Sequence, residues 1–208
     1  MSIATVIRGM VRVAGGGERP LELSEHGDAF IAKGLPDYTE LTRRGLGYGT
    51  MATAAVAGVV VRPTTAAALE IYNNSQVLSL VIDRIFTQNL VSTNVIESFI
   101  LYAMVTQPKA APTDAALAIN SLAGKAAVLR DVLTAASTTV VDNGWFPWGD
   151  SFTKGAGGTV PHGGIVAEVK GRLIVPPLSS LCLHVLSSLV GQTFTSGANW
   201  YKLKLALE

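Results

Sequence analysis

From Trp200 onward the chain alternates, with Tyr201, Leu203, Leu205 and Leu207 falling on one side and Lys202, Lys204 and Glu208 on the other. A period of two is what a half-buried β-strand requires, because successive side chains point to opposite faces of a sheet. Leu-Lys-Leu-Ala-Leu-Glu would suit a helix by propensity, but its alternation does not fit the helical period. The Lys202/Lys204 face is therefore expected in solvent in a lone subunit, or opposite acidic groups in an assembly.

Other short β-prone runs precede this one, separated by turn signals. Val56–Val61 stops at Arg62-Pro63, and Ala66–Tyr72 leads into Asn73-Asn74-Ser75. Val77–Val91 reads as one long strand or two collinear ones, with Leu78, Leu80, Ile82 and Phe86 on one face. Phe99–Val105 is apolar throughout, the mark of a strand covered on both faces by a second sheet or a partner subunit. Thr138–Asp142 ends in Asn143-Gly144, the strongest hairpin signal in the chain. Five runs follow the glycine-rich loop 155–164: 165–169, 171–175, 181–186, 192–195 and 200–207. The stretch 113–136 stays open: Leu122, Ala126, Leu129 and Leu133 could line a helix capped near Asp114, but Gly124 argues equally for a hairpin. Many short strands with turns between them predict an all-β fold, an antiparallel β-sandwich.

Residues 1–50 contain Gly15-Gly16-Gly17, isolated charges and the loop Gly45-Leu46-Gly47-Tyr48-Gly49, read as a flexible joint. They have too few regularly spaced apolar residues for a core of their own, so they are expected to form an extended N-terminal arm held by a neighbouring subunit. Residues 51–208 are expected to form the sandwich domain.

Composition narrows the function classes. Apolar residues make up 49% and charged residues 15% of the chain, against roughly 25% charged in ordinary domains. So little charge suggests a surface that faces other protein. A net charge of +1 without a basic cluster argues against direct nucleic-acid binding. Leu173–Tyr201 holds no Asp, Glu, Lys or Arg, yet Pro176, Pro177, Gly191 and Gln192 interrupt it before a membrane span is reached. Neither a membrane segment nor a secretory leader is expected. Cys182, the single cysteine, lies between Leu181 and Leu183 and reads as a buried side chain.

No constellation points to catalysis. Gly149-Asp150-Ser151-Phe152 echoes the opening of one esterase class, but no aspartate follows Asp150 to supply the Asp-x-x-His that activates such a serine. His162-Gly163-Gly164 lacks the Gly-x-Ser-x-Gly elbow of α/β-hydrolases. His26, His162 and His184 are scattered, so no metal site and no cofactor are expected, and His184 reads as a core histidine bonded to backbone. The sequence reads as that of a non-enzymatic protein. Trp145, Phe146 and Trp148 carry the strongest functional claim, divided between core packing, a subunit interface and a glycan platform.

The strings Gly34-Leu35-Pro36-Asp37-Tyr38-Thr39-Glu40-Leu41-Thr42-Arg43-Arg44-Gly45, Ile82-Asp83-Arg84-Ile85-Phe86, Asn143-Gly144-Trp145-Phe146-Pro147-Trp148 and Leu173-Ile174-Val175-Pro176-Pro177 resemble virion structural proteins of tailed bacteriophages. The resemblance implies a jelly-roll-like sandwich that assembles as a homo-oligomer, a trimer, and decorates or cements the capsid. Its partners would be other virion proteins, above all the major capsid protein. Its place would be the virion, assembled in the host cytoplasm. Tyr38, Arg43 and Arg44 in the arm then join Trp145, Phe146 and Trp148 as candidate interface residues. A tail or fibre component that binds receptor glycan is the alternative.

Overall fold

Alternating small, β-branched and aromatic residues build strands along most of the chain. A computed structural model describes residues 10–12, 18–20, 39–52, 54–91, 96–107, 118–120, 126–127, 132–154 and 163–205. The chain divides into two compact units, Met1–Thr39 and Glu40–Glu208. In the first, β1 (Met10–Arg12) pairs antiparallel with β2 (Glu18–Pro20). The short helix α1 spans Thr39–Arg43.

Two antiparallel sheets form the second unit, which is an all-β sandwich. One sheet has the order β10 (Val132–Thr139), β5 (Ala66–Asn73), β14 (Ser180–Ser187), β7 (Ile96–Thr106), β11 (Phe146–Lys154). The other runs β12 (Gly163–Glu168), β6 (Ser79–Val91), β15 (Thr193–Leu203), β3 (Gly47–Met51), β8 (Ala118–Asn120), β9 (Ala126–Ala127). The short β13 (Ile174–Val175) adds to β6, and β4 (Val56–Ala57) adds to β15. The inner faces meet in one core. Leu69, Ile71, Phe99, Leu101, Leu181, Leu183 and Val185 come from the first sheet, and Leu80, Ile82, Ile85, Phe194, Ala198 and Trp200 from the second.

Where the chain passes from β5 to β6, and so from one sheet to the other, Asn73 is buried and clamps the corner. Its Nδ2 donates to the carbonyls of Leu78 (2.8 Å), Pro176 (3.0 Å) and Val175 (3.2 Å), while its Oδ1 accepts from Ser75 N at 3.2 Å. An Asx-type side chain can satisfy backbone groups that no ladder reaches.

Several expectations meet the structure differently. Gly45–Gly49 is no joint: β3 lies inside the larger sheet, paired with β15 from Gly197 to Tyr201, and the division between units falls at Thr39/Glu40. Within 113–136 the described segments are strands β8, β9 and the start of β10, not a helix. The runs 192–195 and 200–207 belong together as the single strand β15, whose regular part ends at Leu203. In β6 the register slips between Ile82 and Arg84, leaving Asp83 as a bulge. A bulge reverses the alternation, so Ile85 continues the inward face and Phe86 turns outward. The Phe86 ring then covers Gly197, where a Cβ would collide with both the ring and the Thr50 carbonyl.

The C-terminal alternation is real but its faces are exchanged. Trp200 is fully buried and Lys202 is 5% exposed, whereas Tyr201 and Leu203 are half-buried. The phase is set by Phe194 and Ala198, earlier on the same strand, which point into the core with Trp200. Tyr48 stacks beside Trp200 at 6.3 Å, and the Lys202 ammonium lies 4.7 Å from the Tyr48 ring centre.

Asn143-Gly144 does not make a hairpin. Strands β10 and β11 occupy opposite edges of the five-stranded sheet, so residues 140–145 form a belt between them. Gly144 takes φ 105°, open to glycine without strain, and its N donates to Asp142 Oδ1 at 2.9 Å. The belt is fixed by Val140 N to Thr65 O (2.9 Å), Asn143 Nδ2 to Thr106 Oγ1 (2.7 Å), the Arg62–Asp142 ion pair (2.9 Å) and Trp145 Nε1 to Thr64 O (2.8 Å). Val140 and Trp145 pack in one cluster with Met104, Cys182 and Ala67. The inner face of β7 is covered by the second sheet, and the belt covers its outer face at Met104, while Ile100 and Tyr102 on that face stay half-buried.

Truncating Trp145 to alanine removes a buried indole and its hydrogen bond together. Trp145→Ala should destabilise the fold by about 3–5 kcal/mol, read by urea denaturation. Phe146→Ala, at a ring that is 66% exposed, should change stability by less than about 0.5 kcal/mol.

Candidate functional site

The three clustered aromatics part company. Trp145 is 5% exposed and meets the buried His184 edge-on at 6.4 Å between ring centres. Phe146, one residue later, begins β11 with its ring in solvent. Trp148 is the extra residue of a bulge, since the register with β7 shifts between Pro147 and Gly149. It packs on the main core, touches Phe146 edge-on at 6.5 Å, and carries the Arg172 guanidinium 5.1 Å above its ring. Arg172 is held there by bonds to the carbonyls of Glu168 (2.7 Å) and Val169 (3.1 Å). One residue of the trio is therefore belt, one is core and one is surface.

Two further apolar side chains on the outermost strands are exposed. Phe152, further along β11, is 71% exposed, and Val166 on β12 is 63% exposed. These are the outermost strands of the two sheets on the same side of the sandwich: at Gly149 of β11, an added Cβ would lie 2.9 Å from Ile165 of β12. The three do not share a face: Phe146 stands opposite the core residue Ala103 of β7, Phe152 stands opposite Ser98 on the outer side of the same sheet, and Val166, between the inward Ile165 and Ala167, lies on the outer side of the other sheet. The local sequence does not mark Phe152 or Val166 as exposed. Phe152 follows Asp150 at strand spacing, which hints at a polar face, but no local pattern says whether a ring on an edge strand is covered.

Charge gathers at one end of β12. Glu168 accepts from Lys170 at 2.7 Å and from Arg84 at 3.4 Å, and the Lys170 ammonium bonded to it holds its carboxyl below the usual range. Exposed pairs of this kind contribute little to stability. Of the arm candidates, Arg43 ends α1 and is exposed, as is Arg44 beside it. Tyr38 lies outside the described residues, as do His26 and His162.

The outer face of the five-stranded sheet also holds a dry polar group. The Glu70 carboxylate, 1% exposed, accepts from Ser180 Oγ at 2.6 Å and Thr138 Oγ1 at 3.0 Å. Cys182, opposite Glu70 in the ladder, is fully buried, and burial pushes its thiol well above the ordinary range, with the nearby carboxylate adding to the effect. Such a thiol is protonated and a poor nucleophile. His184 is the core histidine the sequence predicts: its Nδ1 accepts from Val185 N at 2.8 Å. Ser151 lies opposite Phe99 on β11, with no base paired to it among the described residues. The buried group has the character of a satisfied interior network.

Burial lowers the His184 pKa below 6.5, so the folded protein holds this imidazole neutral where the unfolded chain protonates it. The stability attached to it is complete above the unfolded value and declines as pH falls through it. Below about pH 6.5 the unfolding free energy should fall with a slope of up to about 1.4 kcal/mol per pH unit from this residue. His184→Gln should remove that part of the slope in urea titrations, and an unchanged slope would refute it.

Searches with family models, against curated proteins and against solved structures find no match to this chain.

Proposed function

We propose that the chain is a non-enzymatic structural subunit that works through contact with other protein, and that its place is the head of a tailed bacteriophage as a capsid decoration or cement protein. The observation that carries this reading is that the outermost strands β11 and β12 expose Phe146, Phe152 and Val166 by 63–71% on backbones fixed by their sheets. Rigid strands that present apolar side chains lose little entropy on docking. The phage assignment rests on the sequence resemblance, with its jelly-roll-like homo-oligomer and major-capsid-protein partner. In this reading the sandwich touches sister subunits and the N-terminal unit lies over neighbours, turning several weak contacts into one multivalent attachment.

The test adds the purified full chain to phage heads that lack a decoration protein. Saturable co-sedimentation with the heads and a raised temperature of head disruption are expected, and removal of residues 1–39 should abolish the attachment. Failure of the full chain to bind heads, together with binding to receptor glycan that is lost in Trp148→Ala, would move the protein to the tail or fibre.

A further inference from the structure

The two halves of the β11 edge differ. Over its first half, Pro147 has no N–H to offer and Trp148 bulges, two devices that keep a foreign strand from adding to a sheet edge. From Gly149 to Lys154 the strand runs in unbroken register with β7, and β7 is the only strand paired with it among the described residues. This half carries the exposed Asp150 and the most exposed phenylalanine ring among the described residues, Phe152. It holds no proline and no bulge.

We propose that residues 150–154 pair antiparallel with the same residues of a second copy, about a two-fold axis at Phe152, joining the five-stranded sheets of two subunits across their β11 edges. The inference rests on reading the protein as an assembling subunit, and it names the strand and register of one contact. A two-fold contact demands that residue i meet residue j while j meets i. Centred on Phe152, the pairing places Phe152 against Phe152 and sets Asp150 opposite position 154 of the other copy, which the sequence fills with lysine. Both chains thus offer opposite charges in register and a shared apolar centre. The neighbouring arrangements lack this match: a parallel pairing sets Asp150 against Asp150, and a shift of the axis to residue 151 sets the ring against the carboxylate. Cross-strand aromatic and opposite-charge pairs favour a ladder, and like charges directly opposite oppose it.

Because the contact is isologous it closes on two chains. It would therefore bridge adjacent subunits or adjacent oligomers, and it would not close a trimer.

Sedimentation of the isolated full chain over a range of concentrations tests this apart from any capsid. The parent should show a monomer–dimer equilibrium. Phe152→Asp should raise the dimer dissociation constant by at least about 10-fold, with the far-UV spectrum and melting unchanged because the ring is exposed. Asp150→Lys and Lys154→Asp should each weaken association by about 5-fold, and the two together should return it to within about 2-fold of the parent. Val190→Asp, at an exposed valine on the β14–β15 turn, should leave association unchanged. A parent that stays monomeric overturns the proposal and leaves the edge to a different partner. Dimerisation indifferent to Phe152→Asp, or a double charge exchange as weak as its singles, overturns it equally. Loss of head binding with dimerisation intact would refute the capsid reading alone.

Discussion

At the centre of the five-stranded sheet, strand β14 is dry on both faces. Leu181, Leu183 and Val185 point into the sandwich, while Ser180, Cys182 and His184 on the other face are 0–3% exposed. A sheet face hidden from water needs a cover, and the polar groups on it need partners. The belt from β10 to β11 supplies the cover through Val140 and Trp145. The partners are local: Ser180 to Glu70, Thr138 to Glu70, and His184 to its neighbouring amide. The crossing from one edge of the sheet to the other follows from this constraint, since a tight hairpin at Asn143-Gly144 would leave β14 and β7 wet on their outer faces. Local turn chemistry permitted both routes, and the burial of the sheet decides between them.

The same competition explains what could be read from the residues and what could not. The fold class was legible because strand periodicity and turn residues are local signals, and so were the buried Cys182 and the backbone-bonded His184. Phase was less legible. One bulge at Asp83 turns Ile85 inward and Phe86 outward, and nothing in Ile82-Asp83-Arg84-Ile85-Phe86 announces it. At the C-terminus the last leucines suggested the wrong inner face, although Phe194, Ala198 and Trp200 on the same strand already carried the right one. A lysine at the inner end of a strand is tolerated when its stem lies on apolar surface and its ammonium meets an aromatic face, as Lys202 does at Tyr48.

The candidate site was half legible. The aromatic trio was visible as a cluster, yet its three members serve the belt, the surface and the core, because the bulge at Trp148 and the strand start at Phe146 redirect neighbouring side chains. Phe152 and Val166 became recognisable only with the sheet order, which shows β11 and β12 to be outermost strands lying side by side.

The scarcity of charge also takes a different meaning. The charge-free run from Leu173 to Tyr201 contains β14 and most of β15, strands that lie inside the two sheets and contribute Leu181, Leu183, Phe194 and Trp200 to the core, with β13 adding the buried Val175 beside β6. Interior position accounts for its lack of charge without any partner. Under the proposed reading, contact would rest on a narrower feature: one half of the β11 edge carries Pro147 and a bulge, while the other half is regular, carries the exposed Phe152 and has no second strand paired with it among the described residues. A solitary domain gains from guarding the whole edge, and the proposed pairing would use the half on which that guard is missing.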